Sequence, residues 1–267
     1  MSGARREVTR PIASRAWTDT AVVLRAWKLA EKDRILSLLT RGRGKIRAVA
    51  RGARRPGSRF SGRLEIGSHV QVHLHAGREL ATVTQVETID LLRHTRADAR
   101  RFAVACAMLE VADLFAHERE ADEGLYRVLV GALKELEKRP SPLLLAGFAL
   151  RVLTVEGLRP EVDACVRCGA EGPLTSLSAE LGGAVCERCR MGGRCSPEAI
   201  AWIRRILSGG LAEALRLERS DLTDEVHRLA MSLLTHHLER VPRSLEALWL
   251  LENGKGTPQL PRDPEGR

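Results

Sequence analysis

Aromatic side chains are scarce in this sequence: they make up 3% of 267 residues, with one Tyr, four Phe and four Trp. A protein that stacks many bases in a row, or lines a pocket with rings, needs more of them. Long apolar runs are also missing. The longest, Pro142 to Leu150, stops at Arg151, short of the roughly 18 residues needed to span a bilayer. The N-terminal segment has charge but no apolar stretch of the secretory kind, so a cytoplasmic chain is expected. Acid is lacking in one place above all. From Arg41 to Arg63 there are nine basic residues and no Asp or Glu. Catalytic signatures are absent too. Gly42-Arg43-Gly44-Lys45 fails as a phosphate loop, because Leu39 stands where a Gly belongs and Ile46 where Ser or Thr belongs. His237-Leu238-Glu239 has the H-x-E of a zinc deaminase without the cysteine pair that should follow. No covalent catalysis is expected.

What is present suits a globular chain: 44% apolar and 29% charged residues, enough to bury a core. The length fits one large domain or two modest ones. The charge is segregated. Residues 1–80 hold 18 Lys and Arg against 6 Asp and Glu, whereas the remainder is slightly acidic. Such asymmetry suggests a nucleic-acid module joined to something else.

The residue pattern changes at the same place. Ala21 to Leu24, Ile35 to Thr40, Ile46 to Ala50, Val70 to Leu74 and Ala81 to Val86 are short apolar or alternating runs. Alternation at a period of two puts one face inward and one in water. Five strands in so short a span predict a small closed barrel of the OB type. After Leu91 the period becomes helical. Helices are expected over 97–117, over 122–139, from Ser141-Pro142 to Gly157, from Ser196-Pro197 onward, and over 211–217 and 222–240, with a last turn or two over 245–251. The expected fold class is therefore α+β. An arm over 1–17 precedes an OB-fold nucleic-acid-binding domain over 18–90. A helical domain over 91–251 follows, with a cysteine-bearing insertion over 162–192, and then a disordered tail over 252–267.

Four of the six cysteines are paired. Cys165-x2-Cys168 and Cys186-x2-Cys189 stand 17 residues apart, inside the spacing of a four-cysteine zinc site. Each pair makes a tight knuckle that aims two thiolates at one ion, and Gly169 relieves the first turn. A set of four sulfurs leaves no open position for substrate, so one structural zinc is expected, with an iron–sulfur cluster or a redox pair as the lesser alternatives. Cys195 is expected to be a bystander and Cys106 a core residue.

The acid-free stretch supplies the other candidate site. Lys45, Arg47 and Arg51 are expected on one face of a single strand, with Arg54, Arg55 and Arg59 on a basic loop beyond it. Such a surface follows a phosphate backbone. With only Trp27 and Phe60 nearby, stacking is expected to be a minor term, and affinity should fall steeply with salt. About five neutralised phosphates on a single strand would give a log–log slope near −3.5.

These features together resemble the RecO family of recombination mediators. The resemblance is carried by Ala21-Val22-Val23-Leu24-Arg25, by Glu31 to Thr40, by Gly44-Lys45-Ile46, by Ala48 to Arg54 and by Ser58-Arg59-Phe60. Leu158-Arg159-Pro160 and the cysteine block follow in order. The resemblance implies a non-enzymatic role in DNA repair: binding single- and double-stranded DNA, annealing complementary strands, pairing with RecR, and helping to load RecA onto DNA covered by single-stranded-DNA-binding protein, whose acidic C-terminal tail some members contact. It would make Lys45, Arg47, Arg51, Arg54 and Arg59 DNA contacts, and Cys165, Cys168, Cys186 and Cys189 zinc ligands; Arg34, Arg41, Arg43 and Arg55 complete the set expected at the DNA surface. It would place the chain in the bacterial cytoplasm, at the nucleoid. The competing readings are an RNA-binding barrel with a zinc knuckle, a nuclease and a pure scaffold.

Overall fold

The computed structural model describes residues 16–60, 62–190, 193–238, 240–245 and 247–248. Strand β1 (Ala16–Leu29) is long enough to serve two neighbours. Its first half pairs with β4 (His69–His75), and its second half pairs with β2 (Asp33–Thr40). A bulge between Val23 and Arg25 adds the local twist that such a strand needs. Strand β3 (Gly44–Ala50) runs antiparallel to β2. Strand β5 (Ala81–Asp90) runs antiparallel to β4 and closes the barrel on β3 through parallel pairing at Ala48 with Ala81 and Val49 with Thr82. The order β1-β2-β3-β5-β4 is a closed barrel of OB topology, as the strand pattern predicts. The described part of β1 begins at Ala16, two residues inside the expected arm. The rest of that arm, and the tail over 252–267, lie outside the described residues.

Alternation sorts the side chains. Ala21, Val23, Leu36, Leu38, Ile46, Ala48, Val70, Val72 and Leu74 fill the barrel interior. Val22, Leu24 and Leu39 point the other way and join the core of the helical domain. One outer face of the barrel is thus buried against helices.

Those helices are α1 (Arg93–Ala97), α2 (Ala99–Phe115), α3 (Glu123–Lys138), α4 (Leu144–Val155), α5 (Pro197–Arg205), α6 (Leu211–Ala214) and α7 (Asp221–His236). Their starts are capped: Asp98, Asp122 and Ser196 each accept a first-turn backbone N–H, and Ser220 forms a capping box with Thr223. Helix α4 begins later than expected. Ser141 caps a turn, accepting from the Leu143 N–H, and the helix starts only at Leu144. Pro142 disfavours the helical region at Ser141, and residues 142–143 form a turn ahead of the helix. The other end is as expected. Gly157 sits at φ 76°, and Leu158 N–H closes onto Leu153 C=O at 2.7 Å, a Schellman ending. Between α5 and α6 a wide turn over Ile206–Gly210 carries Gly209 at φ 105°, which breaks what would otherwise be one helix. No helix among the described residues is long and apolar enough to cross a membrane.

Between α4 and α5 lies a small insertion. Among the described residues its regular part is the hairpin of β6 (Leu174–Ser178) and β7 (Gly183–Cys186), followed by one turn of 3-10 helix over Glu187–Cys189.

Candidate metal centre and nucleic-acid interface

The insertion brings its four paired cysteines to one point. The thiols of Cys165, Cys168, Cys186 and Cys189 lie within 4.8 Å of one another. The first pair sits on a loop in which Gly169, at φ 72°, donates to Cys165 C=O at 2.8 Å. The second pair joins the end of β7 to the 3-10 turn. The loop and hairpin are held together by a close approach at Gly183. A Cβ there would lie 2.3 Å from Glu161 C=O, so only glycine fits.

The geometry matches a metal ligand set. Four sulfurs at tetrahedral zinc distances are separated by about 3.8 Å. Cys168 and Cys186 sulfurs are 3.7 Å apart. The electrostatics match as well. The Cys186 backbone N–H, ahead of other amides, pulls the Cys165 thiol down to about 6, and the Cys189 N–H lowers Cys186. Cys189 is pushed up to about 12, first by its hydrogen bond to Cys168 and then by burial. Four crowded thiols cannot all ionise without a cation among them. Cys195 lies outside this cluster: it is buried, and burial followed by the Glu225 charge raises its thiol to about 11. Cys106 is half-buried, so it lies at the edge of the core rather than within it.

The nine cations expected at a DNA surface are dispersed into separate settings. Arg41 and Arg43 occupy the β2–β3 turn. There Arg41 pairs with Glu123 at 2.8 Å, and Arg43 lies over the Trp17 ring at 4.4 Å. Lys45 does not reach solvent as the strand pattern suggests. Its side chain is 18% exposed, and its ammonium donates to the Asp113 backbone C=O at 2.6 Å. It points outward from the barrel, but α2 covers that face. Asp113 also accepts from Arg25 at 2.8 Å and from Ser37 at 3.1 Å, so this carboxylate gathers three barrel side chains around it. Backbone bonds from Lys45 N–H to His117 and from Arg119 N–H to Lys45 complete the docking.

Arg34, Arg54 and Arg55 share a cavity of about 370 Å³ walled by the loop after β3. Arg34 is tied there to Glu65 at 2.8 Å. Arg54 donates to Ala30 and Glu31 C=O, which straps the loop to the β1–β2 turn. Arg59 lies over the Phe60 ring at 4.9 Å, and Phe60 itself is buried. Arg47 and Arg51 remain exposed on and just beyond β3. Neither these two nor Arg55 makes an ion pair among the described residues. The residue that sequence reasoning undervalued is Trp27. At 43% exposed it stands on the same side of the barrel as Arg47, and its strand register, not its type, reveals this.

Comparison with known families agrees with this architecture. The family model for the recombination protein O N terminal matches residues 15–92, which is the barrel. The one for the recombination protein O C terminal matches residues 96–246, which is the helical domain with its cysteine cluster. Barrel, helices and insertion thus follow one another as in that family, and the chain belongs to the recombination protein O (RecO) family, whose role lies in DNA repair and recombination.

Proposed function

We propose that this chain is a non-catalytic recombination mediator. It binds single- and double-stranded DNA through the barrel, anneals complementary strands, and acts with RecR to load RecA onto DNA covered by single-stranded-DNA-binding protein. The observation that carries this reading is the strip of exposed arginines, Arg47, Arg51 and Arg55, that no carboxylate neutralises among the described residues. Arg54 and Arg59 extend it along the loop. Annealing requires screening of phosphate repulsion between two strands while base edges stay available, and a cationic sheet face poor in rings does this. Lys45 is left out of the contact set, because it holds the barrel to α2.

The four thiolates would hold one zinc ion: Cys165 and Cys168 from the loop, Cys186 and Cys189 from the hairpin. With four protein sulfurs the ion has a closed shell and serves folding of the insertion, not chemistry on DNA. The site of action is the bacterial cytoplasm.

The test is annealing of complementary strands coated with single-stranded-DNA-binding protein, with and without the chain, over a range of salt. Acceleration that fades with salt is expected. A folded, zinc-loaded sample that gives no acceleration overturns the mediator reading, and preference for structured RNA in competition would replace it with an RNA-binding one.

A further inference from the structure

Register places Trp27 in a composed setting. The bulge after Val23 resets the alternation of β1, so that Ala26 packs on the barrel interior while Arg25, Trp27 and Leu29 face out. Across the sheet Trp27 is opposite Ile35, and Ile35 is opposite Val49. This apolar rung crosses three strands. The next rung on one side is Arg25, Ser37 and Arg47. On the other side Leu29 is opposite Asp33, and the Asp33 carboxylate accepts the Gly52 N–H at 2.7 Å, which seats Arg51 beside that rung. Trp27 is 43% exposed and Leu29 36%. A large ring thus lies open to solvent at one end of a rung whose other end, Val49, is flanked along the chain by Arg47 and Arg51, two arginines that make no ion pair among the described residues, on the face where OB barrels take oligonucleotides.

We infer that Trp27 is a stacking platform for one unpaired base of a single strand, with Arg47 and Arg51 holding the phosphates on either side. This rests on the DNA-binding reading above and deepens it by assigning the single-strand contact to one ring. A ring can stack only on an open π-face. Single strands offer one at every base, whereas a duplex offers one only at its ends. Charge on the flanks fits a polyanion rather than an apolar protein partner. One stacking point, unlike a groove of several, leaves the neighbouring bases available to a complementary strand.

The experiment compares three probes at fixed salt: labelled oligo(dT), an abasic strand of equal length, and a blunt duplex. The wild-type chain is expected to prefer oligo(dT) over the abasic strand by about tenfold, within the range for one base on one ring. Trp27→Ala should erase that preference and leave duplex affinity and the salt slope nearly unchanged. Trp27→Phe should keep most of the preference, and should lose most of the tryptophan quenching seen on oligo(dT) binding. Arg47→Ala should lower affinity for all three probes. A Trp27→Ala chain that folds and keeps the wild-type ratio overturns the inference. A wild-type chain that binds none of the probes at low salt overturns the DNA-binding reading itself, which is a different failure.

Discussion

Arginines are used differently in the two halves of this molecule. In the helical half many are matched to carboxylates, among them Arg139 to Glu135, Arg194 to Glu187, Arg204 to Asp163, Arg205 to Glu213 and Arg240 to Glu110. On the barrel Arg25, Arg34 and Arg41 are matched in the same way, but Arg47, Arg51 and Arg55, all within the acid-free stretch, have no such partner among the described residues. An internally paired cation contributes little to an external anion, because binding must first break the pair. The same residue type is therefore structural at Arg25, Arg34 and Arg41 and available to a ligand at Arg47, Arg51 and Arg55. Fold stability is divided in a comparable way. The barrel closes on a hydrocarbon core and a continuous ladder. The insertion has two short strands and brings four thiols to one point.

Removing the metal should sharpen that contrast most. Chelation, or Cys165→Ser with Cys186→Ser, should cost the insertion about 10 kcal/mol. The expected result is proteolysis confined to the 162–192 region, while the barrel keeps its DNA affinity. Limited proteolysis read by mass spectrometry, beside a titration with labelled single strand, checks both halves. Loss of DNA binding in step with the metal would break the comparison.

The joint between the halves comes next. Gly44 sits at φ 64°, and a Cβ there would stand 1.7 Å from the Glu120 backbone oxygen. Side-chain motion cannot relieve a clash with backbone. Gly44→Ala should destabilise the chain by about 3 kcal/mol or more, read as a lower midpoint in urea. Gly57→Ala offers a control: the same sign of φ, at 71°, but nothing within 4 Å. It should cost about 1 kcal/mol.

These joints also show what the sequence made legible. The five strands could be read because period-two alternation reports burial directly, and the cysteine site because x2 spacing has few other uses. Lys45 could not be read. Alternation says that it faces out, together with Arg47, but not that α2 covers the outer surface at Asp113, a contact between residues far apart in sequence. Only the three-dimensional packing separates a docking lysine from an exposed, unpaired arginine two residues later. The Ser-Pro signal shows the same limit. At Ser196-Pro197 it opens a helix directly, whereas at Ser141-Pro142 it opens a turn that leads into the helix at Leu144.

Lys45 and Arg47 therefore give a direct test of the two uses of cation. Lys45→Ala should cost about 1–2 kcal/mol of stability, since the Asp113 carboxylate keeps Arg25 and Ser37. Its salt slope for single-strand binding should not change. Arg47→Ala should leave stability within about 0.5 kcal/mol and reduce the slope by about 0.7. Thermal melts and titrations at several salt concentrations separate them. The opposite pattern would return Lys45 to the DNA surface.

The smallest effect tests the helical half through a carboxylate that has no cation. Glu156 ends α4 with one oxygen buried and unpartnered. Burial first, and then the Asp122 charge, raises its carboxyl from 4.5 to about 7. The native state therefore holds this proton more tightly than the unfolded chain does. Its stability is fully present below pH 4.5 and falls as pH rises toward about 7, where the native group ionises as well. A neutral amide cannot lose that proton. Glu156→Gln should thus melt higher at pH 8, by about 2 °C once solvent screening of this half-exposed site is allowed for. The gain should shrink as the pH is lowered toward 4.5. A gain that is constant with pH would mean that the packing and hydrogen bonding of the amide, and not the lost proton, govern this position.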